Sequence, residues 1–112
     1  MCKDPKEFLK HINDECLYLL KISEGLSLEI FLIDETLKRA AVRSLEIIGE
    51  ASKKIPDDIK LKGDQIPWKN MAGMRDRLIH DYIGVNYIIV WDVVKNKIPE
   101  IHEKIGVLLD EL

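Results

Sequence analysis

Hydrophobic residues recur every three or four positions along most of the chain, which is the spacing of one face of an α-helix. The first such row predicts a helix over residues 5–22, with Asp4 as its cap. Residues 23–27 break this pattern, and Ser27 can cap a short helix that reaches Phe31. No stretch alternates between apolar and polar residues over a useful length, so the pattern does not predict strands.

A second long helix is predicted from Asp34 to about residue 54, and it has two apolar rows. One row contains Leu37, Ala41, Ser44, Ile48, Ala51 and Ile55, and the other contains Val42, Leu45 and Gly49. Two buried sides indicate a central place in the fold, and the small residues allow a partner helix to come close. The remaining side carries Arg39, Arg43, Glu46, Glu50 and Lys53. This charged stripe fits either a solvated face with internal ion pairs or a cationic surface beside a polyanion.

Two further long helices are predicted in the second half of the chain. A polar connection with room for one helical turn precedes Pro67, which begins a helix that ends near His80. After a turn at Gly84 and Asn86, the last helix has an unbroken apolar row made of Tyr87, Trp91, Val94, Ile98, Ile101, Ile105, Leu108 and Leu112. Pro99 lies within this row and removes one backbone hydrogen bond, so a bend is expected there.

These patterns predict an all-α fold, namely a compact four-helix bundle with an additional short helix and a last helix kinked at Pro99. A chain of 112 residues fits one domain that spans residues 1–112. The two cysteines, Cys2 and Cys16, are too few for a disulfide framework. No apolar run approaches the roughly 18–20 residues of a membrane span, and the start lacks a signal-peptide core, so a cytoplasmic location is expected.

The charge balance narrows the classes of function. Seventeen basic residues against twenty acidic ones give a formal net charge of −3. That argues against a protein that coats nucleic acid generally, because such binding neutralises many phosphates. A nuclease is not excluded, since it needs only a local cluster of cations. The four arginines are Arg39, Arg43, Arg75 and Arg77, and none lies near either end of the chain.

Residues 75–82 contain the side chains best suited to chemistry. Arg75 takes a position that the apolar row of the third long helix reserves for a buried residue. Burying an unpaired charge costs several kcal/mol, so Arg75 needs a partner or a bound anion. A guanidinium can hold a phosphate through a bidentate fork, and His80 can move a proton near neutral pH. Together these two side chains supply the groups needed to break an RNA phosphodiester without a metal.

The geometry of this pair is not settled by the sequence. Five residues at 100° each place Arg75 and His80 roughly 140° apart on a straight helix. They could converge if the helix ends near His80, or if a dimer brings two copies of the segment together. A purely structural interpretation also stays open, in which Asp76 and Asp81 pair with Arg77 and His80 as surface ions and Tyr82 is an ordinary buried aromatic.

The histidines do not indicate a metal centre. His11, His80 and His102 lack a ligand spacing such as His-x3-His, and no pair of carboxylates is obviously convergent. No metal site is predicted, and metal catalysis is the least expected mechanism.

The spacing Arg75-x4-His80-x-Tyr82 resembles the Arg-x4-His-x-Tyr signature of HepT-like toxins, which belong to the HEPN superfamily of helical ribonucleases. The similarity extends from about residue 26 to residue 101. It includes further blocks in the family's order, which are AVRSLEIIGEA at 41–51, IPW at 66–68, MAGMR at 71–75, YIGV at 82–85 and VW at 90–91. Where the family often has Asn after the motif arginine, this chain has Asp76, and an acid there can orient Arg75 or draw it away from substrate.

The resemblance implies a homodimer in which two copies of the motif meet at a cleft and cleave RNA without a metal or other cofactor. Arg75 would bind the scissile phosphate and stabilise its developing charge, and His80 would act as general base or acid. Tyr82 would be adenylylated by a partner, a minimal nucleotidyltransferase antitoxin of the MntA type, and the added bulk and charge would block the site. Candidates for contacting RNA or supporting the site are Arg39, Arg43, Asp76 and Arg77.

The chain is therefore expected to be a metal-independent endoribonuclease toxin of a toxin–antitoxin pair, with 2′,3′-cyclic phosphate and 5′-hydroxyl products. A second interpretation belongs to another class, a non-catalytic HEPN subunit that dimerises and docks a nucleotidyltransferase or a nucleotide through Arg75. Cleavage that survives loss of His80, or no cleavage at all, would favour this second interpretation.

Overall fold

Four helices begin at side chains that the sequence supplies as caps. A computed structural model describes residues 4–81 and 83–112 of the chain. In it Asp4, Ser27, Asp34 and Asn86 each accept a hydrogen bond from a backbone N–H in the first turn of the helix that follows. Such a cap is typically worth about 1 kcal/mol, because it satisfies a donor that the helix itself leaves unpaired. The caps predicted at Asp4 and Ser27 are confirmed, and the helix predicted from Asp34 begins at Glu35 with Asp34 as its cap.

The described residues form seven α-helices and one π-helical segment, and they contain no strand. The α-helices are α1 Pro5–Ser23, α2 Leu28–Ile33, α3 Glu35–Lys53, α4 Asp57–Lys62, α5 Trp68–His80, α6 Tyr87–Asp92 and α7 Ile98–Glu111, and the π-helical segment is Val93–Lys97. The prediction of an all-α fold with four long helical stretches is confirmed.

The long helices pack around α3, which contacts both α5 and α1, while α1 in turn contacts α7. Their predicted apolar rows supply the core. The largest fully buried aliphatic side chains are Leu9, Ile12, Leu19, Ile48, Ile98, Ile105, Leu108, Val90 and Val94. Burial of such side chains is the main source of the bundle's stability, at about 1.5–3 kcal/mol for each. The central place predicted for α3 from its two apolar rows follows from these contacts.

One helix arises where the sequence predicted a polar connection with at most one helical turn. Residues Asp57 to Lys62 form α4, which follows Pro56. Two acidic residues open this helix and lysines close it, an arrangement that favours a short helix through its dipole.

The last predicted helix is divided into α6, the π-helical segment and α7. The Ile98 N–H donates to the Val93 carbonyl, five residues earlier, so the hydrogen-bond ladder widens just before Pro99. Pro99 then falls in the first turn of α7, a position that tolerates proline. The structure thus places the irregularity expected at Pro99 in the turn before it, and the apolar row stays in phase because Val94, Ile98 and Ile101 are all buried.

Cys16 is a buried free thiol within the core. Burial raises the pKa of Cys16 to about 12, and the nearby charge of Glu15 adds to the effect. The thiol is therefore protonated at neutral pH and acts as a small apolar residue. Cys2 lies outside the described residues. None of the helices in 4–81 and 83–112 is long and apolar enough to cross a membrane.

Candidate active site

Arg75 sits where α5 comes closest to α3. The contact residue on α3 is Gly49, and a Cβ atom added there would lie 2.2 Å from the Arg75 Cβ and 2.7 Å from the Met71 carbonyl oxygen. Only a glycine allows the two helix backbones to approach this closely. The base of the Arg75 side chain is therefore fixed by packing of the two helices.

The guanidinium of Arg75 is held by two carboxylates. Its Nη2 lies 3.0 Å from Glu50 Oε2 on α3, and its Nη1 lies 3.2 Å from Oδ1 of the adjacent Asp76. Lys53 of α3 donates from Nζ to the same Asp76 oxygen at 2.6 Å. These four residues, Glu50, Lys53, Arg75 and Asp76, are called the Arg75 cluster below. It contains two cations and two anions, so its formal charges cancel.

The partner that the sequence demanded for Arg75 is present, since its side chain is only 25 % exposed and is ion-paired. Within the described part of the chain, Nε of Arg75 is buried and has no hydrogen-bond partner. The nitrogens that reach the surface are therefore the two Nη atoms. Hydrogen bonds from Lys53 and then from Arg75 hold the pKa of Asp76 below its ordinary value, so this carboxyl stays ionised at neutral pH.

A groove of about 250 Å³ between α1, α3 and α5 opens beside Arg75. Its basic side chains other than Arg75 are His11 of α1, Arg43 of α3 and Lys54, which follows α3. Two glutamates of α3, Glu46 and Glu50, also line it, and the Arg43 side chain is 73 % exposed in a 3.8 Å ion pair with Glu46. The groove therefore carries both cationic and anionic side chains beside an apolar wall.

His80 is the last residue of α5 and is exposed. One of the two conditions under which Arg75 and His80 could converge is met, because α5 ends at His80. In the described residues His80 is not among the side chains that line the groove beside Arg75.

The other predicted site residues lie in different places. Arg43 lines the same groove as Arg75, whereas Arg77 lines a separate depression toward the start of α6. Arg39 is exposed on the first half of α3. Asp76 pairs with Lys53 and Arg75, so the alternative in which its partner is Arg77 is wrong for the described residues. Tyr82 lies outside the described residues.

Sequence reasoning missed two members of the Arg75 cluster. It placed Glu50 and Lys53 in a charged stripe and offered ion pairs within α3 as one explanation. Both instead reach across to α5. Their spacing of three residues puts them on one side of α3, but nothing in one helix's sequence identifies which helix faces that side.

No group of three or more His, Cys, Asp or Glu side chains suited to a metal ion occurs in the part of the chain that the structure describes. The charged groups that do converge are those of the Arg75 cluster. Their chemistry is that of holding and polarising an anion.

Comparison with known proteins places this arrangement in a family. The profile of the family described as "Ribonuclease HepT-like" matches residues 12–108. The chain is 47% identical over 109 residues to the protein named "Putative RNase TTE0752" of Caldanaerobacter subterraneus, covering 97% of each chain. It is 40% identical over 110 residues to "Putative RNase MJ0127" of Methanocaldococcus jannaschii, covering 98% of this chain and 91% of that one.

A third relative is "Probable ribonuclease HepT" of Thermococcus cleftensis, which is 41% identical over 104 residues, covering 93% of this chain and 94% of that one. No solved structure matches the chain. The described residues form an all-helical fold with an ion-paired arginine, Arg75, between α3 and α5. The chain belongs to the HepT-like ribonuclease family.

Proposed function

We propose that this protein is a metal-independent endoribonuclease that acts as the toxin of a toxin–antitoxin pair. The observation that carries the proposal is a half-buried, ion-paired Arg75 beside an open groove, with an exposed His80 five residues further on, in a chain of the HepT-like ribonuclease family. An arginine supplies the fixed positive charge that a phosphodiester needs, and a histidine supplies the proton transfer.

In the proposed reaction, the ribose 2′-oxygen attacks the adjacent phosphorus. A bond forms between the 2′-oxygen and phosphorus, and the bond from phosphorus to the 5′-oxygen breaks. One His80 accepts the 2′-hydroxyl proton, and a second gives a proton to the leaving 5′-oxygen, each role being worth about 10²–10⁴-fold. Arg75 donates to the non-bridging oxygens, on which charge builds in the transition state. The products are a 2′,3′-cyclic phosphate and a 5′-hydroxyl.

The proposed enzyme is a homodimer, because in one chain His80 does not line the groove beside Arg75. Two copies of α5 that meet at their C-terminal ends would bring a second His80 to the phosphate held by Arg75. Large apolar side chains near that end are exposed, among them Ile79, Ile83 and Ile88 at 40%, 86% and 56%. Exposed apolar side chains close together in sequence are the kind of surface that a partner chain covers.

Regulation is proposed to act on Tyr82, through a minimal nucleotidyltransferase antitoxin that adenylylates its hydroxyl. The phenolic oxygen would attack the α-phosphate of ATP and release pyrophosphate. An adenylate adds bulk and a negative charge two residues from His80, which would repel RNA from Arg75. Mass spectrometry of the Tyr82 peptide, after co-expression with such a transferase, should find the added adenylate. An unmodified peptide beside a neutralised enzyme would instead indicate inhibition by binding alone.

The test of the proposed activity is incubation of the purified protein with total RNA in excess EDTA, alongside His80→Ala. Because the His80 side chain is exposed at a helix end, its removal should leave the unfolding temperature unchanged. Cleavage that persists in EDTA and is lost with His80→Ala supports the proposal. Intact RNA with both proteins, each dimeric and unmodified, would favour the alternative function, a non-catalytic subunit that binds a nucleotidyltransferase or a nucleotide.

A further inference from the structure

The contact between Glu50 and Arg75 links the two helices that build the site. Glu50 follows Gly49, the residue that allows α5 to approach α3, and its Oε2 reaches Arg75 Nη2 at 3.0 Å. Asp76 is the chain neighbour of Arg75 and would stay close to it in any arrangement of the helices. Glu50 is therefore the partner whose contact depends on the tertiary fold.

The N–H groups of the Arg75 guanidinium determine how it can bind an anion. A guanidinium has five N–H groups, and Nε–H is buried without a partner in the described residues. Asp76 accepts one hydrogen bond from Nη1, and Glu50 Oε2 lies 3.0 Å from Nη2 in an ion pair, so the Nη atoms keep donors for a further anion. A phosphodiester needs two such donors in one plane for bidentate binding. Glu50 contacts Nη2 and Asp76 contacts Nη1, so the two carboxylates together restrict the orientation of that plane.

We propose that Glu50 is a positioning residue, which fixes the plane of the Arg75 guanidinium so that its free Nη donors face the phosphate. This inference rests on the proposed ribonuclease function. Lys53 serves the same purpose on the other side, because its 2.6 Å bond to Asp76 keeps that carboxylate in place. Glu50 does not touch the reacting atoms, and it acts only through Arg75.

Two substitutions separate geometry from charge. Glu50→Gln removes the negative charge but keeps a side-chain oxygen of the same reach near Nη2, whereas Glu50→Ala removes both. Positioning predicts that Glu50→Ala lowers kcat by about tenfold or more, since small misplacements of a catalytic group are costly. The Gln variant should keep at least about half of the wild-type kcat, and KM should stay equal or fall slightly in both because the cluster gains positive charge.

The matched control is Glu35→Ala. Glu35 is also a glutamate of α3 in an ion pair, with Lys38 at 2.7 Å, but it lies at the other end of the helix from Arg75. Its loss should leave kcat unchanged. Equal losses in the Ala and Gln variants would assign the effect to charge and overturn the inference. A faster Glu50→Ala enzyme would also overturn it, because Glu50 would then be competing with the phosphate.

A second readout does not depend on cleavage. When rotation of a guanidinium is restricted, its two Nη atoms give separate ¹⁵N NMR signals. We expect separate signals for Arg75 in the wild type and in Glu50→Gln, and one averaged signal in Glu50→Ala. Signals that stay separate in Glu50→Ala would refute the positioning role. An inactive wild type, or cleavage that survives His80→Ala, would instead refute the proposed function, so the two failures are distinguishable.

Discussion

The sequence predicts that Arg75 needs a partner for its charge, although it does not identify that partner. Its place in an apolar row makes an unpaired guanidinium too costly, and the sequence alone carries that argument. The identity of Glu50 does not follow from the sequence, because the contact depends on which side of α3 faces α5. Close packing at Gly49 decides this, and a glycine in an apolar row signals close approach without naming the neighbour.

The close approach at Gly49 can be tested by adding a methyl group. Gly49→Ala should destabilise the protein by about 1–3 kcal/mol, because the new Cβ would overlap the backbone-fixed Arg75 Cβ and Met71 carbonyl. Gly73→Ala on α5 is the matched control, since no atom lies within 4 Å of its added Cβ. That change should stabilise the helix by about 0.5–1 kcal/mol. Urea unfolding measures both, and equal effects would contradict the packing described.

The depressed pKa of Asp76 makes its contribution to stability depend on pH. A carboxyl whose pKa is lower in the folded state stabilises the fold above its ordinary pKa of 3.8, and it loses this effect as the pH falls through the folded value. At pH 7 the Asp76→Asn variant should therefore unfold at a lower temperature than the wild type. The difference should shrink below pH 4 and then vanish. Thermal unfolding from pH 2 to pH 7 checks this, and a difference independent of pH would argue against the ion pairs.

At the level of helices, the sequence predicted where most elements begin but not how the last one continues. Caps are local, so Asp4, Ser27 and Asp34 could be identified from their own neighbourhoods. The π-helical segment could not, because Pro99 can be accommodated by a bend or by a wider turn before it. The described structure uses the wider turn, which keeps Val94 and Ile98 buried.

Asn86 caps α6 and lies at the end of the connection between His80 and that helix. The Asn86 side chain accepts hydrogen bonds from the N–H groups of Ile88 at 3.0 Å and Ile89 at 3.3 Å. Asn86→Ala should cost about 1 kcal/mol, and Asn86→Asp, which keeps the acceptor, should cost much less. Chemical denaturation compares the two. Equal losses would show that the side-chain oxygen is not what stabilises the start of this helix.

At the scale of the whole molecule, the groove beside Arg75 and the cavity between α5 and α7 are two separate features of the bundle. Arg75 faces the groove between α1, α3 and α5, whereas a cavity of about 330 Å³ separates α5 from α7 and is lined by Met71, Met74 and Ile101, among others. The four-helix architecture follows from the apolar rows, which the sequence contains in full. The relation of Arg75 to His80 does not, since the apolar rows do not show whether a second chain joins the two groups.

The proposed dimer near the end of α5 predicts a sensitive apolar position. Ile83→Asp places a charge on a side chain that is 86% exposed in one chain, and it should shift the protein toward monomer and reduce cleavage in parallel. Leu61→Asp on α4, at 75% exposure, is the control and should change neither property. Sedimentation velocity and an RNA cleavage assay measure the two effects. A dimer that tolerates Ile83→Asp would place the interface elsewhere.

The most direct test of the central claim is an analysis of the products from a short RNA in EDTA. We expect cleavage by the wild type that leaves 2′,3′-cyclic phosphate and 5′-hydroxyl ends. The wild type should not cleave the same oligonucleotide with 2′-O-methyl groups. The Arg75→Ala and His80→Ala variants should cleave neither oligonucleotide. Ends that carry a 5′-phosphate, or cutting of the 2′-O-methyl oligonucleotide, would contradict a reaction driven by the 2′-hydroxyl at Arg75 and His80.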